Sequence, residues 1–433
     1  MMLTRSFALK AMTGILIGSL LVLMFIGIPI AYALVLCSGI TLAATDLAPM
    51  VIMAQRLFNG LDSFPILACP LFILAGYIME GSSMSQRLVD WASCVCGRSK
   101  GGVGTVTILA CAIFAALTGS GPATVAAIGT IMFPAMIESG YPRSSSAALV
   151  AAGGALGPII PPSIVMIIYG TTMNVDVPSM FSGAVIPGIL IAVMMIVTNR
   201  LLANRWDVKL SQEKYSAREI LKRTWHAAGT LFMPILVLGG IYSGIFTATE
   251  AAAVACVYSL IVSFCYKSMT LKKLFEILKK SATVSAMGLL IVGSANIFGW
   301  LLTAGKIPAT ITAFLVPLLK NKVIYMAVLL VILFLVGALM ETSASVVILA
   351  PIIVPTGIAL GFDPLHLGVV FVIALVVGYI TPPFGVNLFT VTSITGESYT
   401  SVVKGLIPYI ICMIAAVILI AFIEPLVTFL PLL

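Results

Sequence analysis

Two apolar stretches of this chain are each interrupted by a pair of prolines, and the two interruptions lie 221 residues apart. The first reads Gly157-Pro158-Ile159-Ile160-Pro161-Pro162-Ser163, the second Gly378-Tyr379-Ile380-Thr381-Pro382-Pro383-Phe384. Proline removes a backbone donor and collides with the preceding turn, so a helix running through either stretch must break there. In lipid, the freed carbonyls and amides have no water to turn to. A break at membrane depth therefore survives only where it faces protein or a wet cavity.

Composition decides that lipid is the relevant solvent. Of the residues, 61% are hydrophobic and 9% charged. Residues 11–45, 101–137, 144–175, 177–199, 224–249, 251–266, 281–305, 323–340, 364–396 and 405–423 carry no Asp, Glu, Lys or Arg. About 20 mostly apolar residues cross a bilayer as a helix. The chain therefore reads as an all-α polytopic membrane protein whose constant partner is the lipid bilayer. No polar stretch is long enough to fold as a separate soluble domain.

The net charge of +8 gives no reason to invoke a nucleic-acid partner. The basic residues fall in short loops: Arg200, Arg205, Lys209, Lys214, Arg218, Lys222 and Arg223 in one, Lys267, Lys272, Lys273, Lys279 and Lys280 in another. Positive-inside bias accounts for them. The eight cysteines lack metal spacing, since Cys94-Val95-Cys96 is tighter than a zinc knuckle. Arg5 and Lys10 precede an apolar run ending in Ala31-Tyr32-Ala33, which looks like a signal-peptidase site. The run is too long for a signal core and is read as a retained first span.

The copies extend well past the prolines. Residues 118–170 align without a gap on 339–391, and eleven of the 53 positions are identical. The identities include Pro134/Pro355, Gly140/Gly361 and Gly157/Gly378, where turns and breaks are set. The same shift lays 84–100 on 305–321, two mixed segments suited to lie along a membrane surface as arms. Before residue 60 the register fails, so the copies are expected to differ in their first spans.

With the N-terminus inside, a first span at about 12–36 crosses outward and a second at 64–80 returns, where Arg87, Arg98 and Lys100 agree with a cytosolic loop. Residues 101–139 form two short apolar helices joined at Thr118-Gly119-Ser120-Gly121-Pro122, a turn followed by proline at a helix start. This predicts a re-entrant hairpin opening to the cytosol. The broken helix 144–171 crosses outward, 178–200 returns, and 226–243 and 248–266 go out and back. The second copy begins at 281–304, its hairpin at 323–358 enters from outside, its broken helix at 365–393 crosses inward, and 405–424 ends outside. An odd number of crossings separates the copies, so they form inverted repeats. Lys306, Lys320 and Lys322 fall against the bias, and Arg56 has no place in this scheme. Six segments result: 1–100 (scaffold and arm), 101–175 (hairpin and broken helix), 176–280 (scaffold and basic loops), 281–322 (scaffold and arm), 323–396 (second hairpin and broken helix) and 397–433 (last span).

Two broken helices in matching halves are the pattern of a secondary transporter. Hairpin tips offer hydroxyls, free carbonyls and the N-terminus of a returning helix. Helix C-terminal carbonyls suit a hard cation, and helix N-termini suit an anion. Candidate cation ligands are Thr118, Ser120, Gly121, Gly157 and Ile160 in the first copy, and Glu341, Thr342, Ser343, Gly378 and Thr381 in the second. Candidate substrate contacts are Pro122, Thr124, Pro161, Ser163, Ser345, Pro383 and Asn387. Glu341 is either a cation ligand or a helix cap; Asn387 binds substrate or satisfies carbonyls; the Ser120 and Thr118 hydroxyls bind an ion or bond back to their own helix. No Lys or Arg lies inside either hairpin or broken helix, so an anionic substrate would be balanced by helix ends and bound cations. An intramembrane hydrolase is disfavoured. Gly119-Ser120-Gly121 lacks the G-x-S-x-G spacing, and His226 and His366 fall at span ends. A channel fits closed hairpin tips less well than occlusion does.

The run Gly60-Leu61-Asp62-Ser63-Phe64, the run Pro70-Leu71-Phe72-Ile73-Leu74-Ala75-Gly76, the Gly-Ser-Gly-Pro tip, the Gly157–Pro162 break and Thr381-Pro382-Pro383-Phe384-Gly385 together resemble the large membrane (M) subunit of tripartite ATP-independent periplasmic (TRAP) transporters, the DctM-like family of the ion-transporter superfamily. The resemblance covers nearly the whole chain. It implies an elevator-type transporter in the bacterial inner membrane, taking up an organic acid such as a C4-dicarboxylate, sialic acid or sugar acid. It implies sodium as coupling ion and no other cofactor. It also implies two partners: a small four-helix membrane subunit (Q), expected here as a separate chain, and a periplasmic substrate-binding protein (P). The chain departs from the commonest hairpin pattern at Glu341-Thr342, where many members carry Asp-Pro and sialic-acid-type members are closer. The competing transport reading is a self-sufficient sodium- or proton-coupled carboxylate symporter.

Overall fold

The computed structural model describes residues 2–97, 101–206, 208, 216–318 and 321–432, with side chains from residue 12 onward. Arg98, Lys100, Lys209, Lys214 and Lys320, used above to assign sides, lie outside the described residues, as do the side chains of Arg5 and Lys10. The described residues are helical with short connections, and eight helices are long and apolar enough to cross a membrane, or nine if a bent pair counts as one span.

The first copy comprises α1 (Met2–Phe25), α2 (Ile30–Thr45), α3 (Val51–Leu61), α4 (Ala68–Glu80), α5 (Met84–Cys96), α6 (Gly102–Thr118), α7 (Gly121–Glu138), α8 (Arg143–Gly154), α9 (Ile164–Met173) and α10 (Val177–Ala203). The second comprises α11 (Ala217–Tyr242), α12 (Ala248–Cys265), α13 (Leu271–Ala304), α14 (Ile307–Leu318), α15 (Lys322–Leu339), α16 (Thr342–Ala359), α17 (Pro364–Val377), α18 (Val386–Thr395) and α19 (Tyr399–Phe422). Adding 221 to α7 gives α16 to the residue, and the same shift brings every other helix of the first copy onto one of the second within a few residues. The correspondence reaches α1 and α2, where sequence identity had faded. The exception is instructive: α3 and α4 together match the single helix α13. In the first copy this helix is bent by 66° at Asp62-Ser63, followed by a 3-10 turn at Phe64–Leu67 with Pro65 inside it.

The expected single span at 12–36 is corrected to two helices. α1 ends at Gly27, whose φ of +88° is open to glycine, and Ile28 N–H closes the end on the Leu23 carbonyl. Pro29 then starts α2, which packs back along α1. The other spans fall where expected. α11 and α13 start earlier, at Ala217 and Leu271, because Ser216 and Thr270 cap them. Five membrane-crossing units per copy follow: α1, α2, α4, the α8–α9 pair and α10, with their equivalents. The added helix raises the number of candidate crossings before the first hairpin from two to three.

The hairpin arms and broken helices trade partners between copies. α7 packs on α18 and α16 on α9, while α19 packs on α8 and α10 on α17. α8 and α17 are apolar on all sides, and from Ser146 to Gly154 and from His366 to Val377 every residue is buried, so they form the centre of the molecule. α10 and α19 wrap this centre and pack on each other. Helices α1–α4 and α11–α13 pack among themselves as a second body.

Polar ties group the loops into two ends. At one, Lys280 pairs with Glu80 at 3.1 Å, Arg87 donates to the His226 carbonyl at 3.1 Å, and Arg143 pairs with Glu397 at 2.6 Å. At the other, Thr249 donates to the Phe64 carbonyl at 2.7 Å, and His366 Nε2 lies 3.0 Å from the Ile420 carbonyl. Lys322, against the charge bias, also sits at this second end. Its ammonium donates to the Gly361 carbonyl at 2.7 Å and lies 5.1 Å from the Phe362 ring, which gives it a local structural role.

Candidate functional site

Each hairpin tip is a two-residue turn or less, because the chemistry at the junction forces it. α6 stops at Gly119, whose φ is +60°, and α7 restarts at once with Ser120 extended and Pro122 in the first turn. α15 stops at Met340, and Glu341 caps α16 through the Ala344 N–H at 2.9 Å. Ser120 and Glu341 are thus equivalent cap positions in the two copies.

The tips are seated on the breaks by glycine. A Cβ on Gly119 would lie 2.6 Å from the Pro162 carbonyl oxygen, and one on Gly157 would lie 2.5 Å from the Ser120 carbonyl carbon. Gly121 approaches the other break: its Cβ would meet Asn387 Oδ1 and the Tyr379 ring at 2.8 Å. In the second copy Gly378 is pressed against the Gly337 backbone, and Phe384 N–H donates to the Ala338 carbonyl at 3.2 Å. Both Pro-Pro bonds, Pro161–Pro162 and Pro382–Pro383, are cis.

These contacts enclose a cavity of about 430 Å³ between the central body and the second body. Its inner wall brings together Thr118, Gly119, Ser120 and Pro122 from the first tip with Glu341 and Ser343 from the second. Ile164, Val165, Tyr379 and Val386 add the two breaks. The first turns of α7, α9, α16 and α18 therefore all open on one space. Helix N-termini carry partial positive charge, while the C-terminal end of α6 and the Glu341 carboxylate bring negative charge to the same space. No Lys or Arg lines the cavity, and its one carboxylate is Glu341. Both oxygens of that carboxylate are engaged, one by Ala344 N–H and one by the Ser343 hydroxyl at 2.9 Å.

The other sequence-selected residues divide into two groups. Thr118 donates to the Phe114 carbonyl, Thr124 to Ser120 and Ser345 to Glu341, each in its own helix. Ser163 donates to the Pro158 carbonyl at 2.6 Å and caps α9 through Met166 N–H, so its hydroxyl is committed to holding the break. Thr381 donates to the Val377 carbonyl. Thr124, Ser163, Ser345, Pro161 and Pro383 do not line the cavity; Pro383 is exposed, and its carbonyl accepts from Tyr399. Gly157, Ile160 and Gly378 are backbone positions behind the tips.

Two side-chain oxygens stand apart. Thr342 Oγ1 and Asn387 Oδ1 are buried and make no hydrogen bond of good geometry, although the Tyr379 side chain lies close enough to Thr342 to interact with it. Asn387 Nδ2 donates to the Ala151 carbonyl at 3.0 Å, which points its oxygen toward Gly121. An unpaired buried acceptor costs about 1–3 kcal/mol, and a bound cation removes that cost, since hard cations take oxygen ligands.

Sequence reasoning missed the outer wall. It is supplied by Ile73, Gly76 and Tyr77 of α4 and by Val284, Met287, Gly288 and Ile291 of α13. Gly288 has nothing within 4 Å of where a Cβ would stand, so the wall is loose beside the tips. Apolar residues in apolar helices carry no local signal. Tyr379, next to the break glycine, was the one member within reach of the motif.

A family model described as tripartite ATP-independent periplasmic transporter, DctM component, matches residues 17–426. The chain is 36% identical to an isethionate TRAP transporter permease protein, DctMQ, of Oleidesulfovibrio alaskensis, over 94% of this chain and 64% of that protein's length. It is 36% identical to the 2,3-diketo-L-gulonate TRAP transporter large permease protein YiaN of Escherichia coli, over 95% of this chain and 97% of that one. It is 37% identical to the C4-dicarboxylate TRAP transporter large permease protein DctM of Pseudomonas aeruginosa, over 86% and 87%. The fold is also similar to that of Neisseria gonorrhoeae MtrF, with a TM-score of 0.63 at 14% identity over 87% of this chain and 84% of that one. The relatives are transport permeases rather than enzymes. As a multi-pass protein of the inner membrane, the chain belongs to the DctM component family of the tripartite ATP-independent periplasmic transporters.

Proposed function

We propose that the chain carries a small organic anion inward by sodium symport, with the central body moving as an elevator against the α4–α13 wall. The observation that carries this reading is the meeting of four helix N-termini on one cavity that has no lysine or arginine. Helix dipoles hold the anion, and sodium at the tips supplies the missing positive charge. Each ligand then favours the other, which is the thermodynamic basis of coupling. Thr342 Oγ1 and Asn387 Oδ1, with the tip carbonyls, are the assigned cation oxygens. The names of the relatives supply the substrate class: isethionate, 2,3-diketo-L-gulonate and C4-dicarboxylates are all small organic acids. A periplasmic binding protein delivers the acid, and a small membrane subunit braces the α1–α4 and α11–α13 body.

Reconstituted with both partners, the chain is expected to take up its binding protein's ligand only under an inward sodium gradient. Uptake that is unchanged in choline and follows a proton gradient would remove the sodium assignment. Uptake by the chain alone would favour the self-sufficient symporter.

Sidedness follows from the grouped loops. The end joined by Glu80–Lys280, Arg87–His226 and Arg143–Glu397 gathers most of the basic residues, so it is assigned to the cytosol. With five crossings per copy, the N-terminus then lies in the periplasm. Glu138 and Ala359 are exposed equivalents at the open ends of the two hairpins. They suit a cysteine better than the neighbouring loop glycines Gly140 and Gly361, whose φ of +90° and +85° would strain any side chain. In a cysteine-free chain, an impermeant thiol reagent added outside is expected to reach Ala359→Cys and a tag at the N-terminus, but not Glu138→Cys. Labelling of both cysteines would refute the inverted arrangement, and labelling of Glu138→Cys alone would reverse the assigned sides.

A further inference from the structure

A second cavity, of about 510 Å³, lies beside the first and is of different character. Its polar walls include Arg56 and Asn59 of α3, Ser63, Thr171 of α9, and Asn296 and Trp300 of α13. No carboxylate lines it. The Arg56 guanidinium stands 5.3 Å from the centre of the Trp300 ring, and it makes no ion pair among the described residues. Beyond this cation–π contact the guanidinium has no carboxylate beside it, and among amide and hydroxyl groups it can receive an anion.

The place of this cavity gives it a role. α9 and α13 line both cavities: Ile164, Val165 and Ile291 face the first, while Thr171 and the stretch from Val292 to Thr303 face the second. The two spaces are therefore stacked along the same pair of helices. The centre of the second lies about ten residues further along α13, or about 15 Å at 1.5 Å per residue. It also sits at the end of the molecule opposite Lys280 and Glu80, near the Thr249–Phe64 tie. The position equivalent to Arg56 in the second copy is Ile277, packed on Gly81, so the second copy carries no cation at this position. Gly60 keeps the device rigid: a Cβ there would strike the Asn296 side chain at 2.5 Å, which locks α3 on α13.

We infer that Arg56, with Asn59, Asn296 and Trp300, forms a one-sided station that holds the carboxylate or sulfonate head of a small organic anion before the central site receives it. This rests on the transport reading above for its purpose, but not for its binding chemistry. The station belongs to the stationary body, so it meets the central cavity only when that cavity has moved toward the same end. An anchor that merely rests its guanidinium at the membrane surface would do none of this.

The test uses the purified full-length chain, free of native cysteines. The reporter is Thr303→Cys, an exposed residue that lines the same cavity but lies off the station, and Asn296 is kept. Its modification rates are compared for an anionic reagent, 2-sulfonatoethyl methanethiosulfonate, and a cationic one, the trimethylammonioethyl analogue. Arg56→Gln is expected to lower the anion-to-cation rate ratio about tenfold, the effect of one charge a few ångströms away at a wet surface. Arg56→Lys should keep most of it. Isethionate and succinate, at constant ionic strength, are expected to slow the anionic reagent by about half at millimolar concentration, as befits a weak site. That protection should vanish in Arg56→Gln. An unchanged ratio, absent protection, or a reporter thiol that neither reagent reaches would overturn the station. A chain that fails sodium-driven uptake yet shows the ratio change would sink the transport reading alone.

Discussion

Replacing Gly157 with alanine is expected to abolish uptake while leaving the chain inserted in the membrane. The added methyl would stand 2.5 Å from the Ser120 carbonyl carbon, a backbone atom at a capped helix start that has no rotamer to relieve the clash. Forcing an extra methyl into a packed contact costs ~1–3 kcal/mol. At 1.4 kcal/mol per tenfold, binding at the tip should weaken about ten- to hundredfold. The loss is local because the contact joins a tip to a break, not the two bodies. Gly239→Ala is the control, since nothing lies within 4 Å of its Cβ position in α11. Measured uptake near wild type for Gly157→Ala would mean that the tip need not sit on the break.

Thr342→Val is the sharper probe of the cation. The hydroxyl is buried and makes no hydrogen bond of good geometry, with only the Tyr379 side chain close to it, so its replacement by a methyl of similar shape removes at most a weak contact. Stability should hold or rise slightly. If the hydroxyl oxygen ligates sodium, the sodium concentration for half-maximal uptake should rise about tenfold, the cost of one lost ligand of roughly 1.4 kcal/mol. Ser120→Ala should act in the same direction, since Ser120 lines the cavity beside the first tip. Unaltered sodium curves in both variants would show the tip hydroxyls to be structural. A fall in melting temperature for Thr342→Val would also count against the assignment, because it would reveal a partner within the protein.

The hairpins and breaks were legible because their determinants are local. Gly-Ser-Gly-Pro ends one helix and starts the next within five residues, and the sequence places the joint at 118–122, where α6 and α7 meet. Pro161-Pro162 and Pro382-Pro383 cannot lie in a helix whatever surrounds them. The joint between α1 and α2 was written just as locally, in Gly27-Ile28-Pro29, but a uniformly apolar run gives no periodicity to mark an end. The hydroxyls of Ser163, Ser345 and Thr124 were selected by composition. Only the folded geometry reveals that each is spent on a nearby carbonyl.

By itself, then, the sequence determined the solvent of this protein, the positions of its helix breaks and the duplication that pairs them. Each of those rests on covalent stereochemistry or on the cost of backbone polar groups in lipid, which act over a few residues. The tertiary structure alone decided which helices exchange partners, which apolar residues of α4 and α13 wall the cavity, and which oxygens remain unpaired. It also decided that Arg56 faces a polar space beside Trp300 rather than lipid. Those outcomes depend on contacts between residues more than a hundred positions apart. Close packing selects such contacts by shape, and shape is not written in any one segment.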